Sequence, residues 1–117
     1  MRERLGKFSI SDVLAHIGKH YTEYLGHMVK MSSQRYRLFK NKGVKCAHCG
    51  IVGEFFALER CVKWERPHFN LYAIDADGNE VLMTKDHIIP KSKGGKNRQS
   101  NYQVLCCRCN TKKGDSV

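Results

Sequence analysis

Two CxxC pairs, Cys46-Ala-His-Cys49 and Cys106-Cys-Arg-Cys109, constrain this chain more than any other feature. A two-residue gap lets a tight turn aim both sulfurs at one ion, and two such knuckles complete the tetrahedron of a structural Zn2+ site. Gly50, directly after the first pair, suits a turn that needs positive φ. Residues 50 to 105 separate the pairs, far more chain than a usual zinc ribbon has. A sizeable piece of sheet is therefore expected between the knuckles. A redox CxxC belongs beside a βαβ pattern, and none is evident. Four thiolates close the coordination sphere, so this zinc would hold the fold rather than catalyse. Cys61 and Cys107 are left over and read as a strand-core thiol and a bystander in the second knuckle.

The intervening chain reads as sheet. EFFALERCVKW is rich in aromatic and branched residues, WERP makes a turn, and HFNLYAI is a strand. DADGN is a hairpin loop rather than a calcium loop, because the other ligand positions of an EF-hand are missing. EVLMTKDHI is the returning strand, PKSKGGKNRQSN a loop, YQVL a further strand, and CCRCNTKKG a knuckle with a short helical turn. Upstream, Ile10, Leu14, Ile17, Tyr21, Leu25 and Met28 recur at steps of three and four, which predicts helix from Ser9 to Met28, broken in two at Gly18 or Gly26. On that helix His16, His20 and His27 would line one side. Residues 31 to 43 predict a second capped helix, led by Ser32 or Ser33 and closed by Gly43. The expected organisation is a basic helical segment over 1–43 and a zinc-stabilised domain over 44–117.

Charge narrows the partners. Lys and Arg number 21 against 11 Asp and Glu, a net +10 with a pI near 9.5. Four thiolates on one Zn2+ would leave about +8. A small, strongly cationic domain is drawn to phosphate backbones. No apolar run is long enough to span a bilayer, and MRERLGKFSI lacks the apolar core of a signal peptide. The expectation is an intracellular, reducing compartment. No HExxH or HxE…PCxxC motif points to a metalloprotease or a deaminase.

Asp86-His87 stands where an apolar strand meets the loop bearing Lys91, Lys93, Lys96 and Arg98. DHIIPKSKGG, followed by NYQVLCCRCNTKKG with Asn101 and Asn110, resembles the HNH endonuclease family of the ββα-metal (His-Me finger) class, in its zinc-stabilised phage and bacterial form. The resemblance covers residues 84–114, with Cys46 and Cys49 as the outlying half of the zinc site. It implies an α+β fold: a ββα-metal core, a four-cysteine structural zinc site, an inserted antiparallel hairpin and the N-terminal helical segment. It further implies that His87 is the general base, that Asp86 and Asn110 hold one Mg2+ or Mn2+, and that Asn101 fixes the loop so that His87 points correctly. The family's third position is often histidine; Asn110 makes this an HNN variant. A hard cation prefers oxygen donors, and a carboxylate with an amide carbonyl supplies them.

The implied activity is hydrolysis of DNA phosphodiester bonds, most readily in duplex, in the cytoplasm of a bacterial or phage-infected cell. Lys91, Lys93, Lys96, Arg98, Lys112 and Lys113 would neutralise backbone phosphates, with Arg35, Arg37, Lys40 and Lys42 extending the track; such contacts position DNA without reading bases. With no evident major-groove recognition helix, nicking or weakly specific cutting is expected. Two other readings stay open: a catalytically silent, zinc-stabilised nucleic-acid-binding module, and a subunit of a larger complex that docks through its first 40 residues. A homodimer is compatible with the sequence. One local conflict also stands, because strand neighbours such as Asp86 and His87 point to opposite faces.

Overall fold

The computed structural model describes residues 2–116. Seven strands and three helices follow in the order β1 (Glu3–Phe8), α1 (Ile10–His16), β2 (Tyr21–Tyr24), β3 (His27–Lys30), α2 (Gln34–Lys42), β4 (Gly53–Arg60), β5 (His68–Ile74), β6 (Glu80–His87), β7 (Tyr102–Cys106) and α3 (Cys107–Lys113). Five strands form one antiparallel sheet in the order β1-β4-β5-β6-β7, and β2-β3 is a separate hairpin. The α+β class expected from the sequence is present.

Residues 1–43 depart from the helical expectation. Only Ile10–His16 of the long periodic stretch is helix, capped by Ser9, whose hydroxyl accepts from the Asp12 N–H. Tyr21, Leu25 and Met28 fall in or beside the hairpin instead, where Tyr24 and Val29 are buried. Leu25 and Gly26 both take positive φ, 51° and 79°, the geometry of a tight two-residue hairpin turn. The steps of three and four were a coincidence of two short amphipathic strands. His20 and His27 accordingly sit at the start of β2 and on β3, not on a helix side. The second helix is as expected: Ser33 accepts from the Tyr36 N–H, and Gly43 closes it at φ 90°.

β1, unforeseen as a strand, pairs with β4. One core then runs through both parts of the chain, with Phe69 at its hub. Phe8, Tyr24 and Phe56 meet its ring edge-on at centroid separations of 5.6, 4.8 and 5.9 Å, a geometry favoured by the ring quadrupoles.

β6 is the pivot of the sheet. Its first half, to Leu82, pairs with β5, and its second half, Met83–His87, pairs with β7. α3 then packs on β6 and β7, so the last three elements make a β-β-α unit at one edge of the molecule.

Candidate active site and metal centre

The four cysteines converge. Cys46, Cys49, Cys106 and Cys109 place their sulfurs within 4.8 Å of one another, and Cys49 Sγ lies 3.8 Å from Cys106 Sγ. A tetrahedral ion with bonds of about 2.3 Å to sulfur needs ligand atoms about 3.8 Å apart, so the donor set and spacing fit zinc. Each knuckle is shaped by its backbone. The Cys49 N–H donates to Cys46 Sγ and the Cys109 N–H to Cys106 Sγ, both at 3.5 Å. Gly50, at φ 83°, turns the first knuckle back. The Ala47 N–H reaches the Val104 carbonyl at 2.8 Å, tying that knuckle to β7. Burial opposes ionisation of Cys46, but N–H groups of Cys106, Cys49 and His48 outweigh it and bring the thiol down to about 6. Burial, reinforced by the neighbouring sulfurs, pushes Cys109 up to about 12. The leftover cysteines differ from expectation in one respect. Cys107 opens α3, but Cys61 is exposed just past β4 and is not a core thiol.

Asp86, His87 and Asn110 line one cleft of about 210 Å3, together with Lys85, Lys91 and Lys113. Asp86 and His87 are the last two residues of β6, so they point to opposite faces as the alternation requires, yet both border the cleft. Asp86 is 8% exposed; its Oδ2 accepts from Nε2 of Gln103, its cross-strand neighbour on β7, at 3.0 Å and pairs with Lys113 Nζ on α3 at 3.2 Å. His87 stands edge-on to the Tyr102 ring, its cross-strand partner, with centroids 5.0 Å apart. Thr84, two residues before Asp86 and so on the same face, receives the Asn110 Nδ2 at 2.9 Å and donates to the Leu105 carbonyl. Asn110 thus spends its amide nitrogen on the scaffold, which leaves its carbonyl oxygen as the remaining donor atom.

The loop between β6 and β7 is folded tightly enough to act as a wall. Asn101 staples it: its Oδ1 accepts from the Ile89 N–H, and its Nδ2 donates to the carbonyls of Ile89 and Lys96. The paired glycines have separate reasons. Gly94 takes φ 88°, and a Cβ on Gly95 would lie 1.7 Å from the Ile89 carbonyl oxygen. Asn101 touches the loop backbone only. The residue on the imidazole is Asn97, whose Oδ1 lies 2.8 Å from His87 Nε2. Sequence reasoning missed Asn97, because an asparagine inside a polar loop carries no pattern of its own.

The cations divide into two groups. Lys91, Lys93, Lys96, Arg98 and Lys112 are exposed, and of these Lys91 lines the cleft. Lys113 is turned inward, onto Asp86 and the His87 carbonyl (2.9 Å). On α2, Arg35 is partly buried and donates to the Phe69 carbonyl and Asn70 Oδ1, whereas Arg37, Lys40 and Lys42 are exposed and reach the carbonyls of Ser32, Ile17 and Tyr102.

Residues 75–117 match the HNH endonuclease family. The HNH match takes in the β5–β6 turn, β6, the stapled loop, β7 and α3, and it supports the family resemblance carried by DHIIPKSKGG and NYQVLCCRCNTKKG. Cys46 and Cys49 lie upstream of it, so half of the cysteine cluster is contributed from outside the HNH segment. No curated protein and no solved structure matches the chain. Among the described residues no helix is long and apolar enough to cross a membrane.

Proposed function

We propose that this chain is a metal-dependent endonuclease that hydrolyses DNA phosphodiester bonds, a zinc-stabilised HNN form whose β6-β7-α3 unit is a ββα-metal core. The observation that carries the reading is the meeting of Asp86, His87 and Asn110 on one cationic cleft, inside the segment that matches the HNH endonucleases.

Each side chain has a role that its surroundings permit. An amide carbonyl can only accept a hydrogen bond, so Asn97 holds the His87 proton on Nε2 and leaves Nδ1 as the basic nitrogen. That nitrogen takes a proton from water as the water oxygen adds to phosphorus. The P–O3′ bond breaks, giving a 5′-phosphate and a 3′-oxygen that leaves as hydroxyl after gaining a proton from solvent. Asp86 and the Asn110 carbonyl suit Mg2+ or Mn2+. The Lys113 ammonium beside Asp86 already sets a positive charge against that carboxylate. A divalent ion, when bound, polarises the phosphate and stabilises the departing oxygen. Asn101 acts through the loop, as a positioning residue. The exposed cations of the loop and α3 hold phosphates. No described helix exceeds the nine residues of α2, and α2 buries Tyr36, Leu38 and Phe39 in the core, which favours weak sequence preference for a DNA met through its backbone in the cytoplasm.

Lys113 on Asp86 is also what a catalytically silent binding module would show, and one assay separates the readings. Supercoiled plasmid is incubated with zinc-loaded protein in Mg2+ or Mn2+, beside a His87→Ala protein of equal zinc content. The nuclease reading expects relaxed or linear DNA from the wild type, with the variant slower by at least about a hundredfold. Retained DNA binding with no cutting by either protein would establish the binding module instead.

A further inference from the structure

Trp64, the chain's single tryptophan, is 87% exposed, on the 61–67 loop between β4 and β5. Tryptophan is highly buried on average, so this side chain departs from its usual place. Its setting is cationic. Lys63 and Arg66 flank it, and the Arg66 guanidinium is steadied over the Tyr21 ring at 5.1 Å. The loop's one acid, Glu65, accepts the Cys61 N–H at 2.7 Å and also borders the groove, where Lys63, Arg66 and Arg60 outnumber it. Between this loop and the β2–β3 hairpin runs an open groove of about 470 Å3 with His27 and Met28 on its far wall. Nothing in the nuclease reading uses any of these residues.

The position of the loop relates it to the cleft. β5 and β6 are antiparallel, with Tyr72 opposite Leu82 and Ile74 opposite Glu80. The start of β5, where the Trp64 loop arrives, is therefore at the same end of the sheet as Asp86 and His87. Arg35 stands between them. It donates to Phe69 and Asn70 near the start of β5, the strand next to β6 in the sheet. Positive charge thus continues from the cleft toward the loop.

We propose that Trp64 is a stacking platform for an unpaired base of the nucleic-acid substrate, with Lys63 and Arg66 on the flanking phosphates, so that the preferred substrate carries a single-stranded segment beside the cleft. An indole lying open between cations suits an unpaired base, whose π face is free, better than a duplex, whose bases are already stacked. This rests on the reading of the chain as a nucleic-acid enzyme, and it names the substrate class of that same site.

The lone tryptophan makes the test specific. Zinc-loaded full-length protein, in buffer without Mg2+ or Mn2+, is titrated with a labelled twelve-nucleotide oligothymidylate and, separately, with a blunt twelve-base-pair duplex. Label anisotropy reports binding and tryptophan fluorescence reports stacking. The expected result is strong quenching by the single strand and little by the duplex. Trp64→Ala should bind the single strand about tenfold to a hundredfold more weakly, with duplex affinity within about twofold, and Trp64→Phe should recover most of the loss. Binding without quenching, equal single-strand affinity for Trp64→Ala, or no single-strand binding at all would each overturn the platform. Because no cleavage is scored, a protein that quenches here but cuts no plasmid would retain the platform and lose only the nuclease reading.

Discussion

Lys113 is the residue on which the cleft turns. Its ammonium touches Asp86 Oδ2 and the His87 carbonyl, so it competes with any divalent ion for the same carboxylate. A divalent ion and an ammonium about 4 Å apart repel by about 8 kcal/mol at an effective dielectric near 20, twice the value for two unit charges, and relaxation of a flexible lysine recovers much of that. Replacing Lys113 with methionine keeps the aliphatic stem and removes the charge. Mn2+ affinity, read from the loss of the free-ion electron-spin-resonance signal, should rise about tenfold in Lys113→Met and collapse in Asp86→Asn. An unchanged affinity in Lys113→Met would place the ion away from Asp86 and undo the ligand assignment. The readout is binding alone, so it holds whether or not a plasmid is cut.

At the scale of elements, the second buried acid shows how the sheet is held. Glu59 on β4 is 3% exposed and accepts from Arg4 Nε on β1 at 2.9 Å, and from Asn70 Nδ2 at 2.8 Å and Tyr72 OH at 2.6 Å on β5. Burial opposes its charge, but the Tyr72, Asn70 and Arg4 hydrogen bonds prevail and hold it below the ordinary glutamate value. A depressed folded pKa adds stability above the unfolded value of about 4.3, and that contribution is lost as pH falls through the folded one. Glu59→Gln should therefore cost about 1–3 kcal/mol at pH 7 in urea unfolding, with the gap from wild type narrowing at pH 3.5. An equal gap at both pH values would mean that the shape of the side chain, not its charge, joins the three strands.

This clasp also marks where the sequence was legible. The two knuckles and the glycine loop were readable because CxxC and GG each demand one local geometry, and the end of β6 with β7 because DH and NYQVLCCRCN resemble the HNH pattern. β1 was not, since ERLGKF has neither clean alternation nor a turn signal, and its partner lies about fifty residues away in β4. The β2–β3 hairpin was masked because its buried residues fall at steps that also suit a helix. Asn110 could be singled out from its place after Cys109, whereas Asn97 becomes visible only when the folded loop brings it to His87.

At the scale of the whole molecule, the core has two ends that answer differently to metal loss. One end is the aromatic cluster in which Phe8 of β1, Tyr24 of the small hairpin, Tyr36 of α2 and Phe56 of β4 meet Phe69 of β5. The other is β6-β7-α3, where Cys106 and Cys109 cap and anchor the helix that carries Asn110 and Lys113. α3 is only seven residues long, too short to hold itself in water, so its place depends on the crosslink to Cys46 and Cys49. Structural zinc contributes about 10–16 kcal/mol in small zinc-finger peptides, comparable with the whole stability of a domain. Stripping zinc should lower the melting temperature by more than about 15 °C, and metal analysis of the intact protein should give one zinc per chain. Hydrogen exchange on the stripped protein should rise first in β7, α3 and residues 44–50, while the amides of β4 and β5 stay protected longest. Uniform exposure of all strands would mean that zinc nucleates the entire fold. Unchanged exchange in α3 would mean that the four cysteines are not its anchor, and the cation cleft would then have to be preset by the Asp86, Thr84 and Gln103 contacts alone.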